Sequence, residues 1–221
     1  ESFKSFLELL TGLTDNCGDI DCKPDEPGNQ LGGIDIRWDF PWLDASIYGQ
    51  TIGEDEAGGL PSRRAHQMGI QMSISRQWFE GAVFIELDET SLKSAPNQYN
   101  SLYNHGIYRT GYRYHGRAIG ATWDNDSSIT SLGAIGYLAN GDKVEARFSY
   151  GNINTESLTR RSSLHSISTD GARLNTVLLK WQREYLWGEL QAEGRYTDQI
   201  IDEFGRQEEK LRVAASVNYY F

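Results

Sequence analysis

The sequence predicts an all-β protein: a transmembrane antiparallel β-barrel of which about nine strands are present. Three observations carry this expectation. Period-two alternation recurs along the chain, connections alternate between short and long, and the last alternating segment closes on an aromatic residue, Phe221. Composition agrees. Apolar residues make up only 38% of the 221, low for a dry core of that size, while aromatics reach 12% and glycines number 23. A sheet wet on one face fits that balance better than a two-sheet sandwich. No stretch approaches the ~18 consecutive apolar residues of a membrane helix, so any crossing must be made by strands of ~9–11 residues. Such strands keep the mean hydropathy negative, here −0.55.

The elements follow in chain order. Residues 1–32 read as an external helix and loop, with Phe3, Phe6, Leu7 and Leu10 at helical spacing and Thr11-Gly12 ending the run. Cys17 and Cys22, with no further Cys and no His nearby for a zinc site, suit a small local disulfide in an oxidising compartment. Residues 33–221 read as barrel. Ile34, Ile36, Trp38 and Phe40 form the first apolar face, followed by a weaker one at Ala45, Ile47 and Gly49 against Ser46, Tyr48 and Gln50. Met68, Ile70, Met72 and Ile74 come next, then Gly81, Val83, Ile85 and Leu87. After a gap come Leu132, Ala134, Gly136 and Leu138, then Val144, Ala146, Phe148 and Tyr150, then Val177, Leu179 and Trp181. The last two are Leu190, Ala192, Gly194 and Tyr196, and Leu211 through Phe221 at alternate positions. Charged residues run along the opposite faces, as a wet lumen requires. Trp42, Tyr48, Trp78, Tyr150, Trp187, Tyr196 and Tyr219 stand near strand ends like interfacial girdles.

Short connections fall at 41–44, 75–78, 140–142 and 185–187, with Asn140-Gly141 a strong hairpin signal. Long polar ones fall at 53–66, 89–130, 152–173 and 198–208, and the long loops of an outer-membrane barrel lie outside the cell. Counting back from a last strand that ends in the periplasm, the first strand runs the same way. Nine strands with parallel end strands cannot close as an antiparallel barrel, so further strands are expected before Glu1, where initiator Met and signal peptide are also lacking.

The net charge of −10 argues against a nucleic-acid partner, whose phosphates it would repel. Catalysis has little support. His66, His105, His115 and His165 are expected in external loops, with no pair at metal-ligand spacing, and Ser162, Ser163 and His165 lie too close in sequence to be assigned as nucleophile and base. Glu54, Asp55 and Glu56 sit between glycines, and read either as a calcium-holding turn or as a solvated acidic one. The richest stretch is 99–126. Tyr108, Arg109, Tyr112, Arg113, Tyr114, Arg117, Trp123, Asp124 and Asp126 combine aromatic faces for sugar C–H surfaces with charged groups for hydroxyls and uronates. The same residues suit a loop folded into the lumen as a plug. The two readings are compatible.

Gly28-Asn29-Gln30-Leu31-Gly32-Gly33-Ile34-Asp35, the block from Tyr48-Gly49-Gln50 to Gly53-Glu54-Asp55-Glu56-Ala57-Gly58, and Tyr112-Arg113-Tyr114-His115-Gly116-Arg117-Ala118-Ile119-Gly120 with Asp124-Asn125-Asp126 resemble the Wzi capsule-assembly family. The resemblance spans about residues 28–150 and continues in the last strand. It implies an outer-membrane barrel of roughly 18 strands, of which this chain is the C-terminal half. It also implies a lectin-like role without cofactor or turnover. The expected function is therefore a barrel lectin that binds capsular or other surface polysaccharide and helps anchor or assemble the capsule. Expected surroundings are outer-membrane lipid and lipopolysaccharide, with the barrel a monomer. The rivals are a porin-like channel and, behind it, a rim-located hydrolase.

Overall fold

The computed structural model describes residues 31–54, 63–91, 102–104, 112–115, 117–155, 165–201 and 207–219. Its strands are β1 (Leu31–Phe40), β2 (Ala45–Glu54), β3 (Arg63–Arg76), β4 (Phe79–Glu89), β5 (Arg113–Tyr114), β6 (Arg117–Ala118), β7 (Ser128–Leu138), β8 (Lys143–Ile153), β9 (Ala172–Tyr185), β10 (Gly188–Ile201) and β11 (Gln207–Tyr219). Nine of them form one antiparallel sheet in the order β1-β2-β3-β4-β7-β8-β9-β10-β11, while β5 and β6 make a separate small hairpin. Every sheet neighbour is a sequence neighbour once that hairpin is set aside, the up-and-down connectivity of a barrel wall. Among the described residues β1 and β11 are edges, so the sheet does not close on itself.

The register turns the alternation of single strands into faces. One row of directly opposed residues runs Trp38, Ile47, Ile70, Ile85, Leu132, Phe148, Val177, Tyr196 and Leu211, one residue from each strand. All nine are apolar or aromatic and all are exposed. An unbroken apolar row facing outward is an error in water and a requirement in hydrocarbon. The adjacent row, one residue along each strand, points inward and reads Arg37, Tyr48, Gly69, Glu86, Ser131, Ser149, Thr176, Thr197 and Lys210. Its polar groups pair sideways: Ser131 with Ser149 at 2.8 Å and Thr176 with Thr197 at 3.2 Å.

Tyr48 belongs to this inner row and not to an interfacial girdle. Its hydroxyl donates to Glu86 at 2.8 Å, and its ring crosses Gly69, where a Cβ would meet ring atoms at 2.5 Å. The glycine provides the space that this cross-strand contact needs. The lumen face is also less uniformly charged than alternation alone suggests. Phe84 and Leu178 point inward and are buried, Phe84 lying over Gly133 and under the Arg147 guanidinium, 5.0 Å from its ring centroid.

All four short turns form. At 139–142 only Gly141 has positive φ (+84°), and the Leu138 amide donates to the Asp142 carbonyl at 2.8 Å. This is a three-residue hairpin loop with glycine at the left-handed position, in place of a two-residue turn. At the opposite end the strands run further than the apolar pattern reaches. β10 continues to Ile201 and β11 begins at Gln207, so the connection expected at 198–208 shrinks to 202–206. His66 likewise lies in β3 and not in a loop. Ladder hydrogen bonds need no apolar side chains, and above the hydrocarbon both faces can be polar, which erases the period-two signal while pairing persists. The expected N-terminal helix, Cys17, Cys22, Asp55, Glu56, Ser162, Ser163 and Phe221 lie outside the described residues.

Candidate functional site: a cap on the lumen face

The long connection between β4 and β7 does not add a strand to the wall. Its described residues fold over the inner face at the end of the sheet where the long connections lie, and pack there as two small cores. The first joins Ala65 of β3 to Leu102 and Tyr103, with Leu31, Tyr112, Ala118 and Ala121 against them. The Tyr103 carbonyl accepts from the Tyr112 amide at 3.0 Å and its hydroxyl accepts from the Ala121 amide at 3.1 Å, fastening the β5–β6 hairpin to this core. The second joins Trp123 to Ile129, Ile153 and Leu174, the inward residues at the ends of β7, β8 and β9. Burying these apolar groups is what draws the connection down onto the sheet.

Between the cores lies a buried ion pair. Arg113 donates through both terminal nitrogens to Asp124, at 2.5 and 2.7 Å, and through Nε to Asn104 at 3.0 Å. Asp124 also accepts from the amides of Asn125 and Ser166, each at 2.8 Å. Both charges are thus desolvated but fully hydrogen-bonded, the condition under which a buried pair is tolerated. Burial pushes the Asp124 carboxyl up, yet Arg113, His165 and Ser166 outweigh it and hold the group below the ordinary carboxylate value. His165 is buried next to this pair. Its Nδ1 accepts from the amides of Ile167 and Ser168, which leaves Nε2–H to donate to the Asn125 carbonyl at 3.2 Å. Burial keeps the ring below its usual pKa despite the pull of Asp124. With both ring nitrogens committed to backbone, His165 is a structural pin for the segment 165–171 and is poorly placed to serve as a base.

The residues singled out from sequence therefore divide. Trp123, Asp124 and Asp126 are at most 8% exposed and belong to the interior of the cap, as does Arg113, whose side chain is 6% exposed. Tyr112 packs partly buried on the first core. Tyr114 is 69% exposed, with the His115 ring edge-on to it at 4.2 Å, and Arg117 is exposed as well. Tyr108 and Arg109 lie outside the described residues. From sequence the 152–173 connection reads only as a long external loop with one histidine, and nothing in it marks Ser166 as a partner of Asp124 or Ile167 as part of the second core.

Below the cap, charge is ordered along the wall. Glu86, Arg147, Glu145, Lys180, Glu193 and Arg195 form a chain of alternating sign across β4, β8, β9 and β10, with successive contacts of 3.8, 3.5, 3.7, 3.7 and 3.6 Å. Two cavities of about 410 Å³ open under the cap. One, on the β2–β4 side, is lined by Glu86 and Asp88 with Arg147 and His66. The other, on the β9–β11 side, is lined by Arg117, Arg195, Lys210 and Arg212, with Trp123 in its wall.

The profile of the family described as capsule assembly protein Wzi matches residues 1–211. The chain belongs to the Wzi family. The sheet likewise matches the solved Wzi of Escherichia coli, described as an outer membrane protein involved in group 1 capsule assembly and a carbohydrate-binding β-barrel. The TM-score is 0.68 at 22% identity, over 89% of this chain and 45% of that one. A further relative, the uncharacterized 55.8 kDa protein in the cps region of Klebsiella pneumoniae, is 45% identical over 74 residues, 32% of this chain and 14% of its own length. The matches span less than half the length of either relative. Its nine-stranded sheet has the fold of the Wzi barrel wall.

Proposed function

We propose that this Wzi-family chain contributes the polysaccharide-holding face of an outer-membrane lectin, which binds capsular or other surface polysaccharide and helps anchor or assemble the capsule. The long connections face the cell exterior in this reading, and the protein neither transports nor turns over its ligand. The observation that carries it is the cap: a loop locked by Arg113 and Asp124 leaves Tyr114 and Arg117 exposed. An exposed aromatic ring offers a stacking surface for sugar C–H groups, and a guanidinium offers hydrogen bonds to hydroxyls and carboxylates. A rigid platform limits the ordering cost of each weak contact, and repeats of the polymer make those contacts multivalent. Tyr108 and Arg109 are proposed to extend this surface. Tyr112, Arg113, Trp123, Asp124 and Asp126 are proposed to hold its shape. A lumen covered by a packed loop speaks against an open porin.

The test is glycan binding by the full-length barrel in detergent, read beside polysaccharide retention on cells lacking the gene. Binding to the cell's own polysaccharide, capsule shedding on deletion, and loss of both with Tyr114→Ala in a folded barrel are expected. No binding together with no shedding would sink the lectin reading.

A further inference from the structure

From the long apolar row down to the short turns, the outward face of the sheet is apolar with one interruption. Among the described strand positions of that region the charged residues are Arg76, the last residue of β3, and Arg183 of β9. Arg183 stands opposite Leu190, which in turn faces Val217 on β11. It lies one outward step inside the row of Tyr185, Gly188 and Tyr219, the aromatic rim of the wall at this end. Charge on the lipid side of a barrel is destabilising unless it reaches the interface. Arg183 is only half satisfied by protein. Its Nε lies 3.2 Å from the Asp142 carboxylate, which is itself held by the Asn140 amide at 2.9 Å and by the indole N–H of Trp181. Its two terminal nitrogens make no hydrogen bond among the described residues, and the side chain is 38% exposed. A guanidinium does not give up its proton, and hydrocarbon has no acceptor to offer it.

We propose that Arg183 seats the phosphodiester of a phospholipid, in the leaflet on the short-turn side of the barrel. The inference goes beyond the polysaccharide reading and concerns the opposite end of the wall. The two terminal nitrogens form a planar fork that fits two oxygens of one phosphate. Asp142 leaves that fork open, because its carboxylate is only 9% exposed and meets the Nε edge. Three exposed aromatics complete the seat. The guanidinium lies over the Tyr185 ring, 5.7 Å from its centroid, Tyr185 stacks on Trp187 at 5.2 Å, and Trp187 meets Tyr219 at 5.5 Å. Such rings favour the boundary between headgroups and acyl chains. Toward the hydrocarbon, Ala192 and Gly194 of β10 stand between Trp181 and Leu179 on β9 and Ala215 and Val213 on β11. A Cβ at Gly194 would meet nothing within 4 Å, so this strip is low. An acyl chain tethered to a phosphate on Arg183 lies along it.

The experiment is native mass spectrometry of the full-length barrel, released from detergent after incubation with dioleoylphosphatidylglycerol or with dioleoylglycerol, which lacks the phosphate. The phospholipid is expected to stay bound, and dioleoylglycerol to be retained at least about tenfold less. Arg183→Gln should lower phospholipid retention about tenfold, while Arg76→Gln leaves it unchanged. Asp142→Asn removes the protein counter-charge of the guanidinium and should hold phospholipid at least as tightly as the parent. Heat-modifiable migration on gels verifies that each variant is a folded barrel. If Arg183→Gln does not fold, Asp142→Asn decides: retention at or above the parent's supports the seat, and loss overturns it. Equal retention of dioleoylglycerol, a folded Arg183→Gln barrel that retains phospholipid like the parent, or an equal loss in Arg76→Gln would each overturn it. Displacement of the lipid by equimolar glycerol phosphate would make Arg183 a free-anion site and overturn the lipid assignment. Polysaccharide binding by Arg183→Gln should match the parent's, so the lipid seat and the lectin reading stand or fall separately.

Discussion

Arg113 and Asp124 stand eleven residues apart in sequence and meet through two parallel hydrogen bonds inside the cap, the carboxylate fully out of contact with solvent. Removing one partner leaves the other buried and uncompensated, which costs about 3–5 kcal/mol. Asp124→Ala or Arg113→Ala should therefore release the cap while the wall, held by its own ladder, remains folded. Limited proteolysis should then cut within 102–127 and planar-bilayer conductance should rise. Arg113→Lys should rescue neither, because an ammonium cannot reproduce the fork. An uncut, non-conducting Asp124→Ala barrel would contradict the role assigned to this pair.

The cap should loosen in mild acid. Burial holds His165 below its ordinary value of 6.5, and the folded value therefore lies below the unfolded one. The unfolded segment binds the extra proton first, so stability is complete above about pH 6.5 and declines as pH falls below it. Asp124 has the same sign, but its window opens only below the ordinary carboxylate value of 3.8. Hydrogen exchange at residues 165–171, corrected for intrinsic rates, should show less protection at about pH 5.5 than at about pH 7.5. Unchanged protection would mean that the imidazole charges elsewhere or is not buried.

Gly133 and Phe84 should be energetically coupled. A Cβ at Gly133 would meet the Phe84 ring at 2.5 Å and the Ala146 carbonyl at 2.9 Å, so Gly133→Ala forces the ring from its place against Arg147. A cost of about 1–3 kcal/mol is expected for such overpacking. In the Phe84→Ala background the clash with the ring is gone and the penalty should shrink. Denaturant unfolding in detergent gives all four corners of the cycle, and additive penalties would refute the packing described.

Ile70 is the third residue of the outward apolar row, between Ile47 and Ile85, with further apolar residues of its own strand on either side at Met68 and Met72. Ile70→Arg should destabilise the barrel by about 2–4 kcal/mol, whereas Tyr219→Arg at the turn end should cost about 0–1 kcal/mol. Refolding into lipid vesicles under graded urea measures both. Equal penalties would mean that this row does not face hydrocarbon.

The wall was legible in the sequence because its physics is local. A strand between lipid and water must alternate, and Ile34 to Phe40 or Val144 to Tyr150 could follow no other period. Period two does not say which apolar residues turn inward; the register alone places Ile129 and Leu174 in the second cap core and Leu178 on the lumen wall beside Arg147. The cap itself was half legible. Its aromatics, arginines and acids marked residues 99–126 as special, but a lumen plug and a sugar site call for the same side chains. Only the closure of Arg113 on Asp124, and the exposure of Tyr114, separates those that hold from those that reach out. From sequence His165 is one of four loop histidines with two serines nearby, whereas its place is fixed by amides of residues that follow it and by the carbonyl of Asn125, forty residues earlier.

The outward row from Trp38 to Leu211 also reveals how the wall leans. On β1 the apolar positions lie mostly above the row, at Ile34 and Ile36 toward the long connections. On β11 they lie entirely below it, at Val213, Ala215, Val217 and Tyr219. Above the row on β9 and β10 stand Asn175 and Asp198, bonded to one another at 2.8 Å. Hydrocarbon is level, so the drift belongs to the strands: a row perpendicular to strands inclined by ~35–45° climbs steadily through the bilayer from β1 to β11. Trp38 and Leu211, eight strands apart on one row of paired residues, therefore sit at different depths. The sideways slant of the barrel is written in where each strand stops being greasy.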